Sequence, residues 1–165
     1  MIALKMEDMK GFTSGLFVGN LFDSWLLREA VIVTFNTFTI DGHIRAGYYT
    51  QQELEENHVG ELSTWQTVRP FCFSLIKGKR LPGSFQITLQ LPAAGISRFV
   101  QESQVDFRPE QVGGLYLNIR YEEGVLHCVT GLSLKVFTLD RQMEQEWDQW
   151  VKGYLKGKGI PFSDV

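Results

Sequence analysis

The strands and helices of this chain follow the same order twice, which limits the folds that it can form. The first pass begins with the alternating apolar residues of Ile2–Met6, and the second begins with Ser84–Leu91. Each pass is a strand, then a helix, then a cluster of strands. Short strands mixed with helices in this way predict an α+β fold, with a largely antiparallel sheet packed by helices.

The second pass contains the clearest strand of the chain, because apolar and polar residues alternate strictly over Phe85–Leu91. Pro92 is typical of a first helical turn, and we expect that helix to extend to about Ser103. Alternation resumes over Leu115–Tyr121, and Glu122-Glu123-Gly124 predicts a turn into the next strand. A bulge or a break is expected at Gly131, before a last strand over Ser133–Thr138.

The first pass is less regular. Asp8 can cap the helix that follows the first strand, and Trp25–Phe35 is rich in β-branched and aromatic residues typical of a long strand. Asp41-Gly42 is a dipeptide typical of a tight hairpin. We therefore expect a hairpin in which this turn joins Phe38–Ile40 to His43–Tyr49.

Helices are predicted between the two passes and at the end of the chain. Residues 50–77 should hold two connecting helices, the first opened by the capping box Thr50-Gln51-Gln52-Glu53. Pro70 should kink the second helix or mark its start. A C-terminal helix is expected over residues 140–157, with one broad apolar stripe formed by Met143, Trp147, Trp150, Val151, Tyr154 and Leu155.

The length of 165 residues fits a single globular domain over residues 1–165. Within it, residues 1–49 and 84–138 form the two passes, which we interpret as pseudo-repeats from an internal duplication. Their order of elements is similar to that in the halves of sliding-clamp domains, an analogy that transfers no function. Coincidence is the alternative, because short strands and helices recur in any α+β domain.

Composition and charge favour a soluble, intracellular protein whose cysteines are reduced. The formal net charge is -3, so nothing in the overall balance favours nucleic acid or an anionic membrane. No apolar run approaches the roughly 20 residues of a membrane-spanning helix. The two cysteines, Cys72 and Cys128, are not needed as a bridge in a chain with this much core. We expect a cytoplasmic location and no membrane partner.

The residue types of catalysis are present without the spacing that catalysis needs. Cys72 lies on the apolar side of a helix, and Cys128 is next to His127 in a strand, so those two side chains point to opposite faces. His43 and His58 have no partner at metal-ligand spacing. The carboxylates fall in helix caps and turns. We therefore assign no catalytic residue, no metal ligand and no cofactor.

The strongest local surface signal is a basic cluster formed by Arg69, Lys77, Lys79 and Arg80. Glycines beside these cations would let the loop approach a phosphate, which the four charges could neutralise. The spacing is not that of a nucleotide-binding P-loop. A solvated loop with the same sequence is the alternative. We take these four residues as the candidate ligand-binding set.

The tryptophans offer a second surface hypothesis. Trp147 and Trp150 are three residues apart on the last helix, and burial in the core is the interpretation that we favour. A partly exposed tryptophan on that helix would instead indicate a contact with a protein partner or with a second copy in a homo-oligomer.

Several stretches resemble a family of small uncharacterised bacterial proteins that share a domain of unknown function. They are Met1–Lys5, Phe22–Ser24, Thr34–Phe38 with Asp41-Gly42, Arg69-Pro70 with Leu75–Arg80, Leu115–Tyr121 and Leu134–Asp140. The resemblance covers nearly the whole chain. It implies a stand-alone domain of the bacterial cytoplasm and transfers no functional residue.

The absence of catalytic motifs leads to a first expectation of a non-enzymatic binding or interaction protein. Two alternatives stay open: a module that contacts phosphate or nucleic acid through the basic loop at residues 77–80, and an enzyme whose site is assembled from scattered residues. Ligand, partner and oligomeric state do not follow from the sequence.

Overall fold

Seven strands form one sheet in which every pair of neighbours is antiparallel. A computed structural model describes all residues, 1–165. The order across the sheet is β3-β2-β4-β5-β6-β1-β7. The strands are β1 (Ala3–Met6), β2 (Leu26–Val33), β3 (Thr37–Asp41), β4 (Ser84–Gln90), β5 (Val112–Glu122), β6 (Val125–Leu134) and β7 (Phe162–Asp164).

Five α-helices complete the fold: α1 (Met9–Phe17), α2 (Gln51–Glu56), α3 (Trp65–Ile76), α4 (Ala93–Ser103) and α5 (Gln142–Gly157). The predicted α+β class, with an antiparallel sheet packed by helices in one domain, is therefore confirmed. The predicted capping box of α2 is also present, with reciprocal bonds between Thr50 and Glu53. None of the helices combines the length and the apolar character that a membrane crossing requires.

The alternating pattern gives the sheet one covered face and one open face. Phe85, Ile87 and Leu89 of β4 are buried, whereas the polar residues between them lie on the other side. The neighbouring β5 repeats this pattern in register with β4. Helices α3, α4 and α5 contact strands on the apolar face, and α1 packs against α3. This is the arrangement expected of an antiparallel sheet with one solvated face.

Aromatic side chains dominate the core between the sheet and the helices. Trp147 of α5 is 1% exposed, and its ring lies 6.2 Å from Trp25 and 5.6 Å from Phe99. Its indole N–H donates to the backbone carbonyl of Tyr116 at 3.1 Å, which satisfies the one polar atom of the ring. Trp150 is half-buried and stacks on Trp147 at 5.1 Å. The last helix is thus part of the core, as its apolar stripe predicted.

The two passes share an element order but differ in strand pairing. β1-α1-β2-β3 corresponds to β4-α4-β5-β6. However, β4 pairs with β5, whereas β1 pairs with β6 and β7 and lies far from β2. The three strands of the second pass therefore lie side by side between β2 and β1 of the first pass, and the internal duplication stays a prediction.

The predicted hairpin at Asp41-Gly42 is wrong. The turn that joins β2 to β3 lies at residues 34–36, and β3 continues to Asp41. Gly42 instead passes a bulge in β2, so closely that an added Cβ would lie 1.8 Å from the carbonyl oxygen of Leu27. His43 then forms an isolated bridge with Leu62. The absence of a side chain at Gly42 therefore allows two backbone segments to approach each other closely, and no turn forms there.

The end of the second pass also differs from expectation. Strand β6 runs through Gly131 to Leu134 without a break, and residues 135–141 form a loop. The turn at Glu122-Glu123-Gly124 is confirmed, since Glu123 and Gly124 have φ angles of 51° and 76°. Such positive angles at both central residues match the twist of the flanking strands.

Removing the Trp147 ring should test its role in the core. We expect Trp147→Ala to lower the free energy of unfolding by about 3–5 kcal/mol, because it leaves a large cavity in the core. Urea denaturation followed by circular dichroism measures this value. A midpoint equal to that of the unchanged protein would contradict the burial of Trp147.

Two glycine-to-alanine changes should have opposite effects. Gly42→Ala places a methyl group on the Leu27 carbonyl, so we expect a loss of about 2–4 kcal/mol. Gly153→Ala adds its methyl group to open space on α5, where better helix propensity should stabilise the protein by up to about 1 kcal/mol. Thermal melting of both variants provides the comparison. Equal effects at the two positions would contradict the close approach of Gly42 to β2.

Candidate anion-binding cleft

The strand register brings the basic loop to one end of the sheet, beside the β2–β3 turn. Ser84 begins β4 and pairs with Val33, the last residue of β2. Gly83, the last residue of the loop, also donates its N–H to the Val33 carbonyl at 2.8 Å. The loop that leads from α3 into β4 must therefore face the turn at residues 34–36.

A cavity of about 570 Å³ lies between these two segments. We call it the anion cleft; its lining is Thr34 and Phe35 on one side, and Ser74–Leu81 with Gly83 on the other. Its volume is typical of sites for small ligands, which occupy roughly 300–1,000 Å³. Three of the four predicted site residues, Lys77, Lys79 and Arg80, line it.

The three cations of the cleft carry no internal neutralising partner. Lys77, Lys79 and Arg80 are exposed, and none of them has a carboxylate within 4.0 Å. The C-terminal end of α3 contributes a partial negative charge of about half a unit beside Lys77. Three full positive charges exceed that contribution, so the lining of the cleft carries a net positive charge.

Gly78 shapes the loop that carries these cations. Its φ angle is 139°, in a region that side-chain-bearing residues rarely adopt. The chain bends over residues 78–80, and no atom lies near the position of an added Cβ on Gly78. The glycine therefore permits the bend between Lys77 and Lys79, and it leaves space for a ligand at this point.

Thr34 adds a polar group that the sequence did not single out. Its hydroxyl oxygen is shielded from water and has no hydrogen-bond partner, the one buried side-chain polar atom in this condition. An unmet bond of this kind costs about 1–3 kcal/mol. Thr34 also lines the cleft, so a rotation of its side chain would bring the hydroxyl to an oxygen of a bound ligand, which could accept its hydrogen. Its place beside the cleft follows from the β2–β3 turn at residues 34–36, whereas the sequence predicted a turn at Asp41-Gly42.

Arg69, the fourth predicted site residue, does not line the cleft. Its guanidinium makes two bonds to the Asp23 carboxylate, at 2.8 and 3.3 Å, and donates to the Val18 carbonyl at 3.2 Å. About 12 Å of helix separates it from Lys77, at 1.5 Å per residue. Arg69 fastens α3 to the segment after α1, and it is half-buried there with its charge already paired.

An apolar pocket of about 200 Å³ adjoins the anion cleft. Ile76 and Leu81 line both cavities, and the remaining lining of the smaller one is Met9, Lys10, Thr13, Pro82, Phe85 and Tyr121. Leu81 and Phe35 are 81% and 86% exposed, so apolar surface flanks the cations. This end of the sheet thus combines positive charge with accessible apolar groups.

Other chemically active side chains lie outside the anion cleft. Nδ1 of His43 lies 2.7 Å from Asp41, and Nε2 lies 4.0 Å from Glu61, so both ring nitrogens face carboxylates. Bonds from the His43 backbone N–H and ring lower the pKa of the Asp41 carboxyl. No three His, Cys, Asp or Glu side chains are close enough together to hold a metal ion.

The two cysteines are free and buried in the core. Burial raises the pKa of the Cys72 thiol to about 12, and it raises the pKa of the Cys128 thiol as well. Both groups are therefore protonated at neutral pH, whereas a nucleophilic cysteine must be a thiolate.

Thiol reactivity should follow this burial. We expect neither cysteine of the native protein to react with iodoacetamide at pH 8, and both to react in urea, as measured by mass spectrometry. Because burial raises both thiol pKa values, the protonated thiols favour the folded state. This contribution to the free energy of unfolding is complete below about pH 8.5 and is lost as the pH rises toward 12. Rapid alkylation of either native cysteine would overturn this result.

Comparison with known proteins gives a family without a known activity. No curated protein and no solved structure shows significant similarity to this chain. A profile of the family of unknown function DUF5721 matches residues 15–163, nearly the whole length. The family resemblance seen in the sequence is thereby confirmed. The chain belongs to DUF5721, a family of unknown function.

Proposed function

We propose that this protein is a non-enzymatic binding protein whose ligand is a small molecule carrying one or two phosphate groups. The observation that supports this proposal most is the anion cleft. It brings three cations without acidic partners to one cavity of about 570 Å³. Thr34, whose buried hydroxyl has no hydrogen-bond partner, is one of the residues that line the same cavity.

Each lining group has a distinct role in this proposal. The guanidinium of Arg80 can bind two phosphate oxygens at once through parallel N–H bonds. Lys77 and Lys79 supply point charges on flexible chains, and Thr34 supplies a single hydroxyl donor. Ordering exposed lysines costs about 0.5–1.5 kcal/mol for each side chain. Inorganic phosphate alone should therefore bind more weakly than a larger ligand.

The rest of the ligand should be partly apolar. Leu81 and Ile76 lead from the cations into the apolar pocket, and Phe35 presents an exposed ring at the turn. A ligand with a phosphate at one end and a ring or short aliphatic part at the other would use both cavities. Burial of apolar area contributes about 25 cal/mol per Å².

Contact with nucleic acid through the same loop is the second candidate. The exposed ring of Phe35 favours it, because a base can stack on an aromatic side chain. A formal net charge of -3 and only three cleft cations favour the small ligand instead. An enzyme with a scattered site has less support, since the thiols are buried and the His43 ring lies between carboxylates.

The proposed setting is the cytoplasm of a bacterium. Two free, buried cysteines fit a reducing compartment, where disulfides are rare. The family resemblance of the sequence supports a bacterial source. Cell fractionation with an antibody against the protein would test the location.

Replacing the cleft cations should abolish phosphate binding. We expect pyrophosphate to shift the backbone N–H signals of Thr34, Phe35, residues 77–81 and Gly83 in nuclear magnetic resonance titrations. A Lys77→Ala, Lys79→Ala, Arg80→Ala variant should lose these shifts. Its melting temperature should change little, because exposed charges contribute little to stability.

A matched control removes the same charge elsewhere. Lys5, Arg98 and Lys135 are exposed and have no salt bridge, so their triple replacement by Ala should retain the pyrophosphate shifts. A short single-stranded oligonucleotide forms the second arm; binding that is tighter than that of pyrophosphate and falls steeply with salt would favour nucleic acid. Equal pyrophosphate binding by the cleft variant and the unchanged protein would refute the cleft as the site.

A further inference from the structure

The two edges of the sheet differ in their capacity to pair with another strand. At one edge, β7 has only three residues and ends at Asp164, whose carboxylate is 3.1 Å from the Lys152 ammonium. At the other edge, β3 has five residues, Thr37-Phe38-Thr39-Ile40-Asp41. Short length and charge protect sheet edges in most proteins. The β3 edge has no proline, no bulge and no charge before Asp41.

Every second residue of β3 directs its backbone groups away from the sheet. Gly42 donates its N–H to the Arg28 carbonyl at 2.9 Å, which fixes the bonded positions in the β2–β3 ladder. Since bonded and non-bonded pairs alternate, Ile40 and Phe38 bond to β2. The N–H and C=O groups of Thr37, Thr39 and Asp41 therefore face outward. They have no backbone partner among the loops of the protein.

We propose that β3 pairs antiparallel with β3 of a second copy of this chain, about a twofold axis through Thr39. Within β3, only residues 37, 39 and 41 have outward-facing groups, and an axis through Thr39 is the one that pairs all three of them. In this register Thr39 opposes Thr39 of the second copy, and Thr37 opposes its Asp41. These three positions can exchange up to about six backbone hydrogen bonds, and the two sheets become one.

The side chains of β3 complement themselves in this register. Phe38 lies opposite Ile40 of the second copy, an aromatic and β-branched pair of the kind that stabilises antiparallel strands. Both side chains are half-buried in the single chain and would be covered further. On the open face, the Thr37 hydroxyl can donate to the Asp41 carboxylate of the other copy. No like charges meet across the axis.

A second copy fits this edge better than an unrelated extended peptide. Strand addition of a peptide gains its specificity from pockets for alternate side chains. The anion cleft reaches only Thr34 and Phe35, and no residue of β3 lines it. The self-complementary order of β3 supplies that specificity to another β3. Five paired residues bury less than the roughly 1,200–2,000 Å² of a standard interface, so we expect a dissociation constant in the micromolar range.

The oligomeric state of two Thr39 variants tests the pairing. Analytical ultracentrifugation of the unchanged protein should show a dimer at about 100 µM, well above a micromolar dissociation constant. Thr39→Pro removes an outward-facing N–H, a position where an edge strand tolerates proline, and should yield a folded monomer. Thr39→Ala keeps that N–H and should remain dimeric. Circular dichroism verifies that each variant is folded.

A charge exchange tests the register independently of proline. Thr39→Lys and Thr39→Glu each place like charges opposite one another in the proposed dimer, so each variant alone should be monomeric. Mixing the two should restore a dimer that contains one copy of each. A monomeric unchanged protein at about 100 µM, or variants that dimerise as the unchanged protein does, would overturn the proposal.

Discussion

The one-sided burial of the central strands is the constraint on which the rest of the structure depends. Phe85, Ile87 and Leu89 on β4 place their side chains on one face, and the matching residues of β5 extend that face. The hydrophobic effect then requires the amphipathic helices to pack on that side alone. The other face remains solvated. On the covered face, the ends of the helices meet the ends of the strands, and a cavity can form at such a junction. The anion cleft is such a place, at the junction of α3 with β4.

The cleft depends on rigid ends around a short, exposed loop. Lys77 donates its N–H to the Phe73 carbonyl at 2.9 Å and ends α3, while Gly83 bonds to Val33 and starts β4. Between these two bonds the cations are exposed and lie outside the core. Arg69 has the opposite role, because its paired charge holds α3 in place. Helix α3 therefore carries one cation whose charge is paired within the fold, and it leads into the unpaired cations of the loop beyond its end.

Periodicity predicted the regular parts of this protein, and close approach between distant segments determined the rest. Strict alternation over residues 85–91 predicted β4, and the stripe around Trp147 predicted a buried α5, since both patterns are local. Asp41-Gly42 led to the prediction of a hairpin that does not form. The glycine instead packs closely on the β2 backbone and donates its N–H to the carbonyl of Arg28, 14 residues earlier. Arg69 was grouped with the loop cations by sequence proximity, although its partner Asp23 lies in another element. Thr34 could not be found without the register of the sheet.

The cleft and the β3 edge share one segment, which links the two proposals physically. Thr34 and Phe35 line the cleft, and β3 begins two residues later. The rings of Phe35 and Phe38 lie 5.6 Å apart, nearly perpendicular, and Phe38 is the residue that would pack on Ile40 of a second copy. Pairing that orders Phe38 would therefore also restrict Phe35 at the mouth of the cleft. Coupling between two binding events is reciprocal, so a ligand that orders Phe35 would favour dimerisation to the same extent.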